Sequence, residues 1–263
     1  MSDDTRSSGN HAGLLLQITG LTKRFDGVTA VDHVDLRLRH GELLSLIGPN
    51  GSGKTTLFNC VTGFLRPEEG EIRFKGEVIT RDRSDRIALR GISRTFQNVR
   101  VFPSLTVMQN LLLSLQQHQE DSLLRRALHT PGIQKLEKES RERAEVILEQ
   151  IGLADLQDEE AHSLVYGQRK MLEFGCALIP DPDLVMLDEP AAGVSTARVD
   201  QMKAYIMELH RQGKTFFVVE HNMGVVMDIS ERIVVLDYGK KIAEGTPGEI
   251  QQNALVREAY FGR

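Results

Sequence analysis

The segment from Gly48 to Thr56 has the residue types and the spacing of a site for phosphate groups. It fits the pattern G-x-x-x-x-G-K-[ST], in which glycines let backbone N–H groups surround the phosphates and the following helix adds its dipole. A short apolar strand, Leu43–Ile47, enters the segment, and a helical pattern, Lys54–Val61, leaves it. A glycine-rich turn that binds nothing is the alternative, and the strand-to-helix context argues against it. We call the segment the phosphate loop and predict that it binds a nucleoside triphosphate through Gly48, Pro49, Asn50, Gly51, Ser52, Gly53, Lys54, Thr55 and Thr56.

Within this loop, two side chains have distinct predicted roles. The Lys54 ammonium should reach the β- and γ-phosphates, and the Thr55 hydroxyl should ligate Mg²⁺.

Polar residues at the ends of other apolar strands predict the rest of a hydrolytic site. Asp188 and Glu189 follow an apolar strand, so that Asp188 can bind Mg²⁺ directly or through water and Glu189 can polarise the attacking water. His221 ends the apolar run 216–220 and could contact the γ-phosphate and orient the water or Glu189, although a lone histidine is more often structural. Gln97 ends a predicted strand and could sense both Mg²⁺ and the water. Alone, each signal is weak, but beside a phosphate loop they predict nucleotide hydrolysis.

The residues Leu164, Val165, Tyr166, Gly167 and Gln168 open a predicted helix. Backbone N–H groups at a helix start attract phosphate, and Gly167 permits close approach. An ordinary helix start is the alternative. We refer to these five residues as the signature segment.

The elements that position these residues read as an α/β core interrupted by a helical block. Strands are predicted at 14–25, 31–39, 43–47, 92–97, 183–188, 214–220, 232–237 and 240–244, with a short strand pair around Gly76 at 72–80. A short helix is predicted at Ser84–Gly91, with Ser84 as a possible N-cap. From about 98 to 180 the pattern is helical, which predicts a helical subdomain inserted into the core. Residues 1–13 are polar and read as a disordered tail, leaving 14–263 as one nucleotide-binding domain.

Composition limits the partners. Lys and Arg total 32 against 37 Asp and Glu, a formal net charge of −5, which gives no general drive toward nucleic acid, and we predict no nucleic-acid partner. Cys60 and Cys176 lie among apolar neighbours and read as reduced thiols of a core. There is no apolar run of about 18–20 residues and no secretory signal. The expectation is a soluble cytoplasmic protein that reaches a membrane only through a partner.

Taken in order, the phosphate loop, Gln97, the signature segment, LVMLDEP and VEH resemble the nucleotide-binding subunit of an ATP-binding cassette (ABC) transporter. The resemblance spans the chain from about Leu14. It implies a P-loop NTPase core with a mixed sheet, an antiparallel β region and an inserted helical subdomain, with ATP and Mg²⁺ as cofactors. It also implies a composite site, in which the signature segment of one subunit completes the phosphate loop of a facing subunit. By the same resemblance, Phe25 takes the position whose ring stacks on adenine.

The signature segment, DEPAAG at 188–193, FPSLTV at 102–107, the insert around 116–132 and the terminal EAYFG at 258–262 resemble LivG-type ATPases of bacterial branched-chain amino-acid importers. That family implies two membrane permease subunits, a second ATPase (a paralogue, with a homodimer left open) and, indirectly, an extracytoplasmic solute-binding protein. The chain would then lie on the cytoplasmic face of the inner membrane. A urea or short-amide importer and a soluble ABC ATPase that moves no solute are the alternatives. The short insert and single cassette disfavour the soluble class.

Two positions depart from the wider ABC pattern. Val165 stands where most members have serine, so a hydroxyl contact to the partner's γ-phosphate, worth about 1.5–3 kcal/mol, is missing. Ser195 stands where many members have an aspartate that couples the two sites. We expect the site that uses this signature segment to be the weaker one, and Val165→Ser to raise the ATPase activity of the complex.

The segment Asn98–Val107 is the predicted link to a permease, through its apolar residues Val99, Val101, Phe102 and Leu105. Internal packing of these side chains is the alternative.

Overall fold

The computed structural model describes residues 13–97, 99–117 and 131–261. The predicted tail (apart from Gly13), Asn98, most of the 116–132 insert and Gly262 lie outside these residues.

Ten strands form two sheets within the described ranges. They are β1 (Leu14–Phe25), β2 (Val28–Arg39), β3 (Leu43–Ile47), β4 (Glu69–Phe74), β5 (Glu77–Val78), β6 (Ile92–Arg94), β7 (Leu184–Asp188), β8 (Thr215–Val219), β9 (Arg232–Asp237) and β10 (Lys240–Gly245). An antiparallel sheet has the order β2-β1-β4-β5. A mixed sheet has the order β10-β9-β3-β8-β7-β6, in which only the β9–β10 pair is antiparallel. The predicted α/β class, with a mixed sheet and a separate antiparallel region, is confirmed.

Burial explains the sequence pattern of each sheet. Every residue of β3, β7 and β8 is buried, as expected for parallel strands covered on both faces, and four of the five residues in each strand are apolar. From Val34 to Arg39, β2 alternates buried and exposed residues because one face of its sheet meets solvent. The parallel strands β3, β6, β7 and β8 all point the same way, so the segments that follow them meet at one edge of the mixed sheet.

Helices cover the sheets, and three of the α-helices among the described residues lie between β6 and β7 in the chain. The helices are α1 (Lys54–Val61), α2 (Ser84–Leu89), α3 (Val107–Gln117), α4 (Pro131–Gln150), α5 (Tyr166–Leu178), α6 (Thr196–Arg211), α7 (Met223–Ile229), α8 (Pro247–Gln252) and α9 (Ala254–Phe261). α3, α4 and α5 meet at Gly175, where an added Cβ would lie 3.2 Å from both Ile147 Cγ2 of α4 and Leu111 Cδ2 of α3. The division into core and inserted subdomain remains a prediction.

The last helix supports the strand that enters the phosphate loop. Val256 and Tyr260 of α9 pack in one apolar cluster with Ile47 at the end of β3. Burial raises the pKa of the Tyr260 phenol to about 12.

Two local expectations are wrong. Ser84 is the first residue of α2 and not its N-cap, which is Arg83, and no side chain caps this helix. The strand before Gln97 ends at Arg94, because the backbone N–H of Phe96 donates to a side chain of α5 and not to a neighbouring strand. No helix in the described part of the chain is long and apolar enough to cross a membrane.

Candidate functional site

The phosphate loop is pressed against two neighbouring backbone segments. A Cβ on Gly48 would lie 2.1 Å from the carbonyl oxygen of Leu236, and one on Gly53 would lie 2.2 Å from that of Ala30. Gly53 also has a φ of +101°, a conformation that side chains disfavour. Glycine is therefore required at both positions, which fixes the turn between β3 and α1.

The start of α1 offers donors to an anion. Gly53 is the N-cap of α1. No side chain caps the N-terminus of this helix, and its first turn contains no acidic residue. The N–H groups of that turn and the helix dipole therefore remain available. The hydroxyl of Ser52 is buried without a hydrogen-bond partner among the described residues. These donors suit a polyphosphate.

Lys54 is buried within the loop. Its ammonium donates to the carbonyl oxygens of Gly48 (2.8 Å) and Pro49 (3.0 Å). Burial lowers the pKa of Lys54, and the nearby Glu189 and Asp188 oppose that shift. The loop thus holds a desolvated positive charge that phosphate oxygens could share.

The two acids after β7 have different surroundings. Asp188 is 2% exposed, and its Oδ2 accepts a hydrogen bond from Arg94 Nη2 (2.7 Å). Glu189 has a φ of +50°, which is uncommon for a non-glycine residue, and its N–H donates to Val219 O (2.9 Å). Strained residues of this kind occur often at functional sites.

The predicted catalytic residues meet around Glu189. Its Oε2 accepts from Gln97 Nε2 (3.3 Å), and its Oε1 lies 3.8 Å from His221 Nδ1. All three residues line one cleft of about 440 Å³ together with residues 50–56 of the phosphate loop and Ala30. The cleft lies beyond the carboxyl ends of the parallel strands, where α/β sheets usually bind ligands.

Mg²⁺ fits the polar groups of this cleft when a nucleotide supplies further oxygens. Mg²⁺ prefers one or two carboxylates with phosphate oxygens and water. Asp188 stands at the strand end with one oxygen held by Arg94, and the Thr55 and Gln97 side chains belong to residues that line the cleft. The described residues contain no group of three or more acidic, His or Cys side chains that would hold a metal alone. The phosphates would therefore complete the coordination.

Phe25 and the signature segment lie apart from these residues. Phe25 is 42% exposed at the end of β1, with Lys23 Nζ 5.1 Å from its ring centroid, and is not among the described residues that line the cleft. Val165 is 64% exposed at the N-cap of α5, and its N–H donates to Gln168 Oε1 (3.0 Å). Leu164 is buried in the core. The signature segment does not line the cleft either.

Tyr166 of the signature segment packs against the segment that follows Glu189. A Cβ on Gly193, which has a φ of +71°, would lie 2.9 Å from Tyr166 Cε1. At Gly167, an added Cβ would lie 3.4 Å from Arg198 Cδ. The signature segment therefore touches the region that joins Glu189 to α6.

Sequence reasoning missed two charged residues that organise the site. Arg94 pairs with Asp188 and also donates to Asn59 Oδ1 (2.7 Å) and Thr62 Oγ1 (2.9 Å), while burial lowers its pKa. Glu220 is fully buried and accepts three backbone N–H groups, which are those of Ala191 (2.8 Å), His221 and Asn222 (both 3.0 Å). The sequence signal was weak, since Glu220 is a charged residue at the end of an apolar run and Arg94 stands between Ser93 and Thr95 in a short predicted strand.

Comparison with family models and with curated relatives identifies similar proteins. The model of the family described as ABC transporter matches residues 31–192, and that described as branched-chain amino acid ATP-binding cassette transporter matches residues 240–263. The chain is 41% identical over 249 residues (94% of this chain, 98% of the relative) to the high-affinity branched-chain amino acid transport ATP-binding protein BraF of Pseudomonas aeruginosa. Identity and coverage are the same for LivG of Escherichia coli K12, which carries the same description.

Solved structures match over nearly the whole chain. An ATP-binding cassette of an ABC transporter in its ADP conformation matches with 34% identity and a TM-score of 0.81, covering 95% of this chain and 99% of that one. A dimeric post-hydrolysis ATP-binding cassette with ADP and Pi matches with 25% identity and a TM-score of 0.76, covering 89% and 99%.

Proposed function

The chain belongs to the ABC transporter family, and on that premise we propose that it is the ATP-hydrolysing subunit of an importer for branched-chain amino acids. The observation that carries the proposal is the convergence of the phosphate loop, Gln97, Glu189 and His221 on one cleft. The match of residues 240–263 to the branched-chain family, and the names of the relatives BraF and LivG, support the solute class.

Residues in and beside the cleft have separate roles in binding and hydrolysis. Lys54 and the N–H groups at the start of α1 bind the phosphates, and Thr55, Asp188 and Gln97 would hold Mg²⁺, which neutralises phosphate charge. Glu189 accepts a proton from, or polarises, the attacking water. Gln97 and His221, on either side of Glu189, orient its carboxylate and the water. Phe25 stacks on adenine with its exposed ring face.

Completion of the site requires a second subunit. The signature segment lies away from this chain's own cleft, with Val165 and Tyr166 exposed, which suits a surface that faces the nucleotide of a partner. A similar cassette is dimeric with ADP and Pi. The partner is a second ABC ATPase, a paralogue or a copy of this chain. Because Val165 has no hydroxyl, the partner's site is the weaker one.

The segment 99–107 forms the contact with a permease subunit. Asn110 orders this loop, since its side chain accepts from the Phe102 N–H (2.8 Å) and donates to the carbonyl oxygens of Phe102, Leu105 and Thr106. Phe102 is 51% exposed, whereas Val101 packs against the core, so the internal-packing alternative holds for Val101. Two permease subunits hold the chain on the cytoplasmic face of the membrane, and an extracytoplasmic binding protein delivers the solute.

The test is the ATPase activity of the complex, reconstituted with its permeases and binding protein. Leucine, isoleucine or valine should stimulate turnover, urea and short amides should not, and Glu189→Gln should abolish the stimulation. ATP turnover that none of these amino acids stimulates would refute the solute class.

A second experiment tests the permease contact. Phe102→Ala should uncouple ATP turnover from transport without changing ATP affinity, and unchanged transport would refute the contact.

A further inference from the structure

Two opposite charges on the signature helix, α5, are buried against an irregular loop. Lys170 and Glu173 lie one turn apart and are 3% and 4% exposed. Glu173 Oε1 accepts from the N–H groups of Phe96 (3.1 Å) and Arg100 (3.2 Å). Lys170 Nζ donates to the carbonyl oxygen of Gln97 (3.2 Å) and more weakly to that of Phe96 (3.5 Å). We call these contacts the α5 clamp, and we call the residues Phe96, Gln97, Val99 and Arg100 the glutamine loop.

The cost of burying these charges indicates that the clamp has a specific task. A buried charge costs several kcal/mol unless hydrogen bonds compensate it. Burial raises the pKa of Glu173, and its Oε2 has no hydrogen-bond partner among the described residues. Both side chains form their hydrogen bonds with backbone groups of the glutamine loop, which lie beyond the end of β6 at Arg94 and would otherwise need other partners.

The glutamine loop has α5 on one side and Glu189 on the other. Gln97 Nε2 contacts Glu189, while the backbone of the same residue is bound by Lys170. The guanidinium of Arg100 lies 3.9 Å from the ring centroid of Phe96, so these two residues of the loop contact each other. A displacement of α5 would therefore move the backbone of Gln97 through its hydrogen bond to Lys170. The Gln97 side chain, which contacts Glu189, would move with that backbone.

We propose that Lys170 and Glu173 are positioning residues that tie the placement of Gln97 in this chain's own cleft to the position of its signature helix. The glutamine loop then follows α5 rather than the sheet that carries Glu189. The effect of the clamp on hydrolysis rests on the proposed function, whereas the hydrogen bonds that form the clamp do not.

The first test measures hydrogen exchange on the full-length chain. Glu173→Ala removes the Oε1 that accepts both bonds, so the amides of Phe96 and Arg100 should exchange about 10- to 100-fold faster, as expected for lost bonds to a charged group. Glu173→Gln keeps an acceptor oxygen and should stay near wild type. Unchanged exchange at these amides in Glu173→Ala would overturn the clamp. This measurement needs no transport partner, so it is decided separately from the proposed function.

The second test measures turnover in the assembled complex. Lys170→Met should lower kcat on the order of tenfold through misplacement of Gln97, with KM for ATP little changed because the phosphate loop is untouched. Lys170→Arg, which keeps a donor, should restore most of the rate. Lys203→Met, which removes a lysine paired with Asp200 and Asp228 on α6 and α7, is the matched control and should behave as wild type. Equal kcat for Lys170→Met and wild type, or loss of kcat and ATP affinity together, would overturn the positioning role.

Discussion

Substituting glutamine for Glu220 tests the network that joins His221 to the segment after Glu189. The carboxylate is fully buried and accepts the N–H groups of Ala191 through Oε1 and of His221 and Asn222 through Oε2. Glutamine has the same shape but only one acceptor oxygen. If that oxygen takes the Oε2 position, the amide NH₂ faces the N–H of Ala191, and two donors oppose each other.

The expected cost follows from these contacts. A hydrogen bond to a charged group contributes about 1.5–3 kcal/mol, and a buried donor left without a partner costs about 1–3 kcal/mol. The substitution also removes a buried charge, and the desolvation penalty that is thereby avoided offsets part of this loss in stability. We therefore expect Glu220→Gln to lower the free energy of unfolding by about 2–4 kcal/mol.

Urea-induced unfolding of the full chain measures this change, with Glu142→Gln as control. Glu142 pairs with Lys138 on the exposed face of α4, and its substitution should cost less than about 0.5 kcal/mol. In the assembled complex, Glu220→Gln should lower kcat more than ATP affinity, because His221 is displaced and the phosphate loop is not. An unfolding free energy within about 0.5 kcal/mol of wild type would refute the reasoning.

Three further predictions rest on separate contacts. Gly48→Ala places a Cβ 2.1 Å from a backbone carbonyl oxygen and should abolish binding of a fluorescent ATP analogue, whereas Gly248→Ala, with nothing within 4 Å, should not. Arg94→Met leaves the buried aspartate of β7 unpaired and should lower the free energy of unfolding by about 3–5 kcal/mol; a loss below about 1 kcal/mol would contradict the buried pair. Burial raises the pKa of Cys60 to about 11 and of Cys176 to about 12, so iodoacetamide at pH 8 should alkylate both thiols much more slowly in the native chain than in urea, as followed by mass spectrometry. Because the folded chain holds these protons more tightly than the unfolded chain, stability should fall as pH rises from the ordinary thiol value of 9.0 toward 11; stability that rises over this range would contradict the assignment.

Contiguous motifs were the part of the site that sequence could predict. The strand at Leu43–Ile47 and the helix at Lys54–Val61 have the predicted bounds, because a phosphate loop needs its strand, glycines, lysine and helix in immediate succession. Gln97, Glu189 and His221 share a cleft because each follows a parallel strand of the same sheet, which the apolar runs already indicated. Their roles in hydrolysis stay predictions.

The sequence by itself therefore determined the phosphate loop, the acids that follow an apolar strand and the α/β class, since each depends on neighbours along the chain. Only the tertiary structure decided which buried charges meet. Arg94 reaches Asp188 across 94 positions, Glu220 reaches Ala191 across 29, and Glu173 reaches Phe96 across 77. A buried charge is stable only when a hydrogen-bonding partner lies beside it, and tertiary packing decides which distant group that partner is. The residues next to the charge in the sequence do not predict it.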